Sequence, residues 1–231
     1  MEICKPKILP SAMCCRSQDL EGYMHAFERV GIDAIHFDVM DGHYVPNVML
    51  GTSDFMSIRG LTNLPIDVHL MCVDPERFVS YFDIRTGDWV SFHPEVCQQP
   101  YALLETLRRG GIRAGLAFSP AISPDYIEEC LDVLDFVLVM AVSPGFSGQT
   151  MVAGHLEKLR RIHELVTRAN HPIDVIVDGN TTVSNARQML AGGATGLVTG
   201  TSSMLKGSPD GFESRYDSYV LAITSTDKGA R

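Results

Sequence analysis

A chain of 231 residues, 45% of them hydrophobic and 20% charged, has the size and apolar content of one large domain with a sizeable core, which excludes a disordered or low-complexity protein. The formal net charge of −9 and the scatter of the basic residues exclude a nucleic-acid or anionic-membrane surface, so any bound phosphate would have to be held by local groups. No apolar run approaches the roughly 20 residues of a membrane span, the opening Met1-Glu2-Ile3-Cys4-Lys5-Pro6 does not read as a signal peptide, and the six cysteines include no CxxC pair. Reduced thiols in a cytoplasmic protein are the expectation.

In chain order, short apolar or β-branched runs alternate with amphipathic segments. A first strand at Lys7–Leu9 leads to a helix at about Asp19–Val30, and a second strand at Ala34–Val39 to a helix at Thr52–Leu61. Strands at Ile66–Leu70 and Trp89–His93 are followed by helices at Pro75–Phe82 and Tyr101–Arg109. The strand at Arg113–Phe118 precedes Ser123-Pro124-Asp125, which reads as N-cap, first-position proline and first-turn acid of a helix running to Leu131. After the strand at Phe136–Val142, Leu156, Leu159, Ile162 and Leu165 recur at helical spacing within His155–Arg168. Strands at Ile173–Asp178 and Gly196–Gly200 with helices at Val183–Ala191 and near Gly211–Ile223 complete the pattern.

Eight strands alternating with helices, without a composition break or linker, predict a single-domain α/β fold, a (β/α)8 TIM barrel over residues 1–225, with a polar, frayed tail at 226–231. An open doubly wound sheet usually begins with a Gly-rich first turn, which Leu9-Pro10-Ser11-Ala12-Met13 lacks.

In such a barrel the active site lies at the C-terminal ends of the strands. Those ends carry Ser11, His36 with Asp38, His69, His93 with Glu95, Ser119, Met140, Asp178, and Gly200 with Thr201. In the stretch His36-Phe37-Asp38-Val39-Met40-Asp41-Gly42, strand alternation puts His36, Asp38 and Met40 on one face and Phe37 and Val39 on the other. A lone histidine at a strand end is ordinarily a satisfied core or capping group. Four polar groups together are costly to bury unless something pairs them, so His36, Asp38, His69 and Asp178 form a candidate set for a divalent transition metal.

Glycine-containing turns follow the late strands: Ser143-Pro144-Gly145-Phe146-Ser147-Gly148-Gln149, Asp178-Gly179-Asn180 and Thr199-Gly200-Thr201-Ser202. Glycine lets backbone N–H groups approach an anion closely, and the loops after strands seven and eight are the usual phosphate site of these barrels. Met40, Met71 and Met140, all at strand ends, are core filler on the ordinary reading and a soft wall for the site on the functional one.

These residues resemble the ribulose-phosphate 3-epimerases and their relatives acting on other ketose phosphates. The resemblance runs from about Ile8 to Leu205 and is carried by HFDVMDGHYVPN at His36–Asn47, DVHLM at Asp67–Met71, MAVSPGFSGQ at Met140–Gln149 and VDG at Val177–Gly179. It implies a (β/α)8 barrel with one divalent metal ion (zinc, iron, manganese or similar) on His36, Asp38, His69 and Asp178, and with Asp38 and Asp178 as the acid–base pair. It also implies sugar contacts from Ser11, His69, Met40, Met71 and Met140. The phosphate would be held by Gly145, Phe146, Ser147, Gly148, Gly179, Asn180, Gly200, Thr201 and Ser202. The implied partners are a ketose-phosphate substrate and further copies of the chain, as a dimer or hexamer.

Inverting a carbon next to a ketone means removing its proton from one face and returning one to the other. Two carboxylates on opposite sides of a barrel can do this if one starts ionised and the other protonated, and a divalent ion would stabilise the charge of the enediolate between them. Asn180, Ser119 and the Thr201-Ser202-Ser203 turn depart from the commonest ribulose-phosphate pattern. Ser11-Ala12-Met13-Cys14 and His93-Pro94-Glu95 look more like the branch acting on D-allulose 6-phosphate. D-ribulose 5-phosphate leads as substrate, with D-allulose 6-phosphate as the alternative. A decarboxylase or Schiff-base aldolase would need a strand-end lysine, which is missing, and a non-catalytic sugar-phosphate sensor would have no need of both Asp38 and Asp178.

Overall fold

A computed structural model describes residues 5–225. The opening with Cys4 and the tail expected to fray at 226–231 lie outside the described residues.

Eight parallel strands form the barrel: β1 (Lys7–Pro10), β2 (Ile35–Asp41), β4 (Ile66–Met71), β5 (Trp89–Phe92), β6 (Arg113–Phe118), β7 (Phe136–Met140), β8 (Asp174–Asp178) and β9 (Gly196–Thr199). A two-residue strand, β3 (Val48–Met49), pairs antiparallel with the exit of β2. The seam between β1 and β2 is held by a parallel bridge from Ser11 to His36 and by a hydrogen bond of 2.8 Å from the Ile8 amide to Asp33. Every predicted strand is present near its expected bounds, and the solved folds reported below are barrels of the same kind.

The helices are α1 (Leu20–Val30), α2 (Thr52–Leu61), α3 (Pro75–Val79), α4 (Pro100–Arg109), α5 (His155–Val166), α6 (Val183–Ala191) and α7 (Phe212–Thr224). The expected helix after β6 is a 3-10 helix, Pro124–Cys130. Its buried residues are Pro124, Ile127 and Cys130, a spacing of three that lines up along one face at 3.0 residues per turn but spirals away in an α-helix. Helix α3 ends short of Phe82 because the Ser80, Tyr81 and Phe82 amides bond back to the carbonyls of Arg77, Phe78 and Val79, and the Ser80 hydroxyl also donates to Arg77 O.

Strand parity sorts the core into two layers. On β2, Ile35, Phe37 and Val39 face the helices, where Phe37 meets Phe55 of α2 edge-on at 5.4 Å, while Met40, and Ala34 just before the strand, face inward. Leu9, Trp89, Phe136, Leu138, Ile176 and Val198 pack the barrel interior. Gly115 is the residue that admits the Phe136 ring, since a Cβ there would lie 2.6 Å from it. At the N-terminal mouth the Arg113 guanidinium stacks 4.0 Å from Trp89 and donates to Asp174, which also pairs with Lys7. That end is thus plugged by stacked rings and ion pairs, and the opposite end is open for chemistry. The described cysteines are free thiols, and no helix among the described residues is long and apolar enough to cross a membrane.

Candidate active site

The alternation that sends Phe37 and Val39 outward brings His36 and Asp38 into the barrel, and the same parity on β4 brings in Asp67 and His69. His36 and Asp67 are register partners on adjacent strands, and His36 Nδ1 lies 2.7 Å from Asp67 Oδ2. His36 Nε2 faces Asp38 Oδ1 at 3.1 Å and Asp178 Oδ2, from the end of β8, at 3.8 Å. His69 Nδ1 lies 3.4 Å from Asp38 Oδ1, and Ser11, just past β1, donates its hydroxyl to Asp38 Oδ2 at 2.8 Å.

One ligand atom from each of His36, Asp38, His69 and Asp178 falls within 4.8 Å of the others. The donors suit a divalent ion: two imidazoles, two carboxylates and no thiol. His69 Nδ1 is buried without a hydrogen-bond partner and faces Asp38 in the cluster, as a ligand lone pair would. Asp67 accepts from His36 Nδ1–H, which turns the Nε2 lone pair toward the same point, a carboxylate–histidine arrangement typical of metal ligands. The residues present therefore fit a metal ion.

The two carboxylates of the set differ in environment. Burial alone would raise Asp38, but the His36 charge and hydrogen bond, with His69 beside it, hold it far below the usual carboxylate range. Asp178 is raised to about 7, first by burial and then by the charges of Asp38 and Asp67, with His36 opposing. Burial works against a charged His36, yet Asp38 and Asp67 hold it well above the ordinary histidine value, while burial lowers His69.

A pocket opens above this cluster and is lined by Ser11, Asp38, Met40, Met71, Met140, Gly145, Phe146, Ser147, Gly148, Asp178, Gly179, Asn180, Gly200, Thr201 and Ser202. The structure thus brings most of the residues singled out in the sequence to one place, with His36 and His69 fully buried beneath the floor and absent from the lining, while the strand-end residues His93, Glu95 and Ser119 do not line the pocket. Met40 and Met71 pack together with Val45, and Met140 belongs to the interior layer. In the loop after β7, Gln149 donates to the carbonyls of Ser143 and Phe146, and Asn47 donates to Gly145 O, which braces the turn from two sides.

Gly179 has φ +106°, and a Cβ there would approach Val142 to 2.7 Å. Asn180 follows at φ +52°, a left-handed conformation that asparagine tolerates better than most residues, and its Oδ1 accepts from Asn185 Nδ2 at 2.7 Å. Gly200 N–H donates to the Ser203 hydroxyl, and Ser203 thereby joins the turn.

Several residues of the site were not singled out from sequence. Asp67 stood within the DVHLM motif, and its parity with His69 was the available signal. Met13 and Cys14 also line the pocket, marked in the sequence only by their place in the Ser11–Cys14 segment, and so do Val142, Thr181 and Val198, which nothing in the sequence distinguished from core. Tyr44 carries a hydroxyl that donates to Glu95 at 2.7 Å, behind the pocket, and only its place in the loop after β2 hinted at a role.

Fold and site together define a (β/α)8-barrel enzyme whose polar cluster and anion-friendly loops share one mouth. Residues 7–204 match the model of the ribulose-phosphate 3 epimerase family. The chain is 37% identical over 207 residues to a ribulose-phosphate 3-epimerase of Serratia marcescens, covering 89% of this chain and 95% of that one. It is 34% identical over 201 residues to one of Aquifex aeolicus, covering 87% and 89%. Among solved structures, a thiamine phosphate pyrophosphorylase from Pyrococcus furiosus superposes with a TM-score of 0.61 at 19% identity, over 96% of this chain and 98% of that chain. A mutant tryptophan synthase α-subunit from the same organism gives 0.65 at 14%, over 95% and 98%, and both likenesses concern the fold alone. The chain belongs to the ribulose-phosphate 3-epimerase family and is an isomerase acting on sugar phosphates.

Proposed function

We propose that this protein inverts C3 of a ketose phosphate by two-carboxylate acid–base chemistry, interconverting D-ribulose 5-phosphate and D-xylulose 5-phosphate. The observation that carries the reading is the pair Asp38 and Asp178, which line one pocket from different strands with proton affinities pushed apart. An ionised Asp38 can take a proton while a protonated Asp178 can give one, the division of labour that inversion at a single carbon needs. After one turnover the two have exchanged protonation states, which suits a reversible reaction.

His36, Asp38, His69 and Asp178 would hold one divalent ion, such as zinc, iron or manganese, which when bound supplies Lewis-acid stabilisation of enediolate charge. His36 and His69 contribute neutral donors, so the negative charge of the donor set comes from the acid–base pair alone. Ser11 keeps one oxygen of Asp38 oriented, and Met40, Met71 and Met140 give the carbon chain an apolar wall that excludes water from the reacting carbon. The turns Gly145–Gly148, Gly179–Asn180 and Gly200–Ser202 would grip the phosphate through backbone N–H groups, and that remote binding orients C3 between the two acids. A cytoplasmic setting is proposed from the cysteine usage, and a homo-oligomer, dimer or hexamer, from the resemblance to the family.

The departures at Asn180 and in the Thr201-Ser202-Ser203 turn support a second reading, 3-epimerisation of D-allulose 6-phosphate to D-fructose 6-phosphate, in which one more carbon separates C3 from the phosphate. Proton NMR of the metal-loaded protein in D2O with each sugar phosphate in parallel tests both. Deuterium uptake at C3 with formation of the epimer is the expected result, and the faster tube identifies the substrate. Absence of exchange with both sugars, metal being bound, would refute the catalytic proposal and favour a sugar-phosphate sensor.

A further inference from the structure

Behind His69 the hydrogen bonds run on through four more side chains. His69 Nε2 lies 3.0 Å from His93 Nε2, and His93 Nδ1 lies 3.2 Å from Ser119 Oγ. Ser119 Oγ is 2.8 Å from the Tyr44 hydroxyl, which donates to Glu95 Oε1 at 2.7 Å. Glu95 Oε1 is also 3.6 Å from His93 Nδ1, so the chain folds back on itself. His69 and His93 are fully buried and Ser119 nearly so, which makes an unpaired link expensive.

We propose that Glu95, Tyr44, Ser119 and His93 form a one-way hydrogen-bond relay that holds His69 as its Nε2–H tautomer, with the Nδ1 lone pair aimed into the metal cluster. The metal role of that lone pair rests on the reading under Proposed function, but the tautomer does not. The sense of the relay follows from satisfying each contact with one hydrogen. An ionised carboxylate only accepts, so Tyr44 must donate to Glu95. The Tyr44 oxygen then accepts from Ser119 Oγ–H, which leaves Ser119 Oγ to accept from His93 Nδ1–H. A neutral His93 with its hydrogen on Nδ1 presents a lone pair at Nε2, and the contact of 3.0 Å there requires the hydrogen of His69 to sit on Nε2. His69 Nδ1 is left as a bare acceptor, and it is the atom that is buried with no hydrogen-bond partner beside Asp38.

Running the chain the other way would need a hydrogen on Glu95 and would put an N–H of His69 into the cluster, where it would block a ligand position. The two histidines are thus fixed by different means: His36 by direct contact with Asp67, and His69 by a relay that ends on a carboxylate four side chains away. None of the four relay residues would touch the ion, so they are positioning residues.

The test is long-range 1H–15N correlation of the metal-free protein labelled with 15N-histidine, paired with zinc affinity from competition with a chromogenic chelator. In the unaltered protein the His69 signals should show a protonated Nε2 and an unprotonated Nδ1. In Glu95→Gln the side-chain amide can donate as well as accept, so the preference should collapse to a mixture, with zinc affinity lower by about 10–100-fold. Tyr44→Phe, which keeps the approach of Glu95 to His93, should shift the tautomers less and provides the readout if Glu95→Gln fails to fold. A hydrogen on Nδ1 of His69 in the unaltered protein, or tautomers unmoved in both variants, would overturn the relay. The expected tautomer in a protein that binds no divalent ion would leave the relay standing and overturn the metal centre instead.

Discussion

Replacing Asp178 by asparagine should remove a pH dependence of stability that the metal-free protein carries on this one side chain. Asp178 is raised from 3.8 to about 7, with burial as the first cause. The native protein therefore keeps a proton that the unfolded chain releases from about pH 4 upward. More protons bound in the native state than in the unfolded state means that stability falls as pH rises, across the window from about 4 to about 7. A shift of roughly three units at 1.36 kcal/mol each sets the loss at about 4 kcal/mol at most. His36, also held above its ordinary value, contributes in the same direction and largely cancels when the variant is compared with its parent. The assay is urea denaturation of chelator-treated protein at several pH values from 4 to 8, for the parent and Asp178→Asn. The gap in unfolding free energy between them should change by a few kcal/mol in favour of the variant as pH rises. A gap that stays constant with pH would refute the assignment of a proton to Asp178, and with it the reason for calling it the acid.

Asp38→Asn and Asp178→Asn should each lower C3 exchange by about 10²–10⁴-fold, with the fold checked by circular dichroism and bound metal assayed separately; full turnover in both would remove the two-acid mechanism. Asp67→Ala leaves the buried Nδ1–H of His36 without its acceptor, and zinc affinity should fall by about 10–100-fold in a competition titration. Equal affinity would show that Asp67 does not orient the ligand. Asn180→Gly is conformationally permitted at φ +52° but deletes the carboxamide that accepts from Asn185, so the kcat/KM ratio between the two sugar phosphates should move more than kcat itself. An unmoved ratio would count against a role in substrate choice.

The fold was legible because its signal is periodic. Strand parity on β2 predicted which of its side chains enter the barrel, and the cluster of His36, Asp38, His69 and Asp178 follows once strand ends are placed on one rim. What escaped the sequence depends on pairing across elements. Asp67 meets His36 only because of the β2–β4 register, and β3 is two residues of loop until Met49 pairs with Met40. The 3-10 form of Pro124–Cys130 was hidden in a spacing of three that a helix prediction does not separate from 3.6. Tyr44 lies in a loop with no periodicity at all, and its partners Ser119 and Glu95 come from distant parts of the chain.

The reaction and the substrate are written into different parts of the molecule. On the proposed mechanism, proton transfer at C3 would depend on side chains carried by β2, β4 and β8, whose spacing is fixed by backbone ladders between neighbouring strands. The distance from C3 to the phosphate would depend instead on where the turns after β7, β8 and β9 place their N–H groups. Those turns are set by left-handed residues and side-chain braces: Gly179 against Val142, Asn180 on Asn185, Gln149 across its own loop, and Ser203 on the Gly200 amide. Each brace can change by one substitution without disturbing the strands. Selection between a five-carbon and a six-carbon substrate can therefore drift while the acid–base pair stays in place, and the departures from the family pattern at Asn180 and at Thr201-Ser202-Ser203 fall in this adjustable layer. Ser119 is the exception, since it lies behind the cluster and touches His93. A change there would act on the proposed metal ligand His69, so exchanging it for asparagine should alter zinc affinity while leaving the preference between the two sugars as it was.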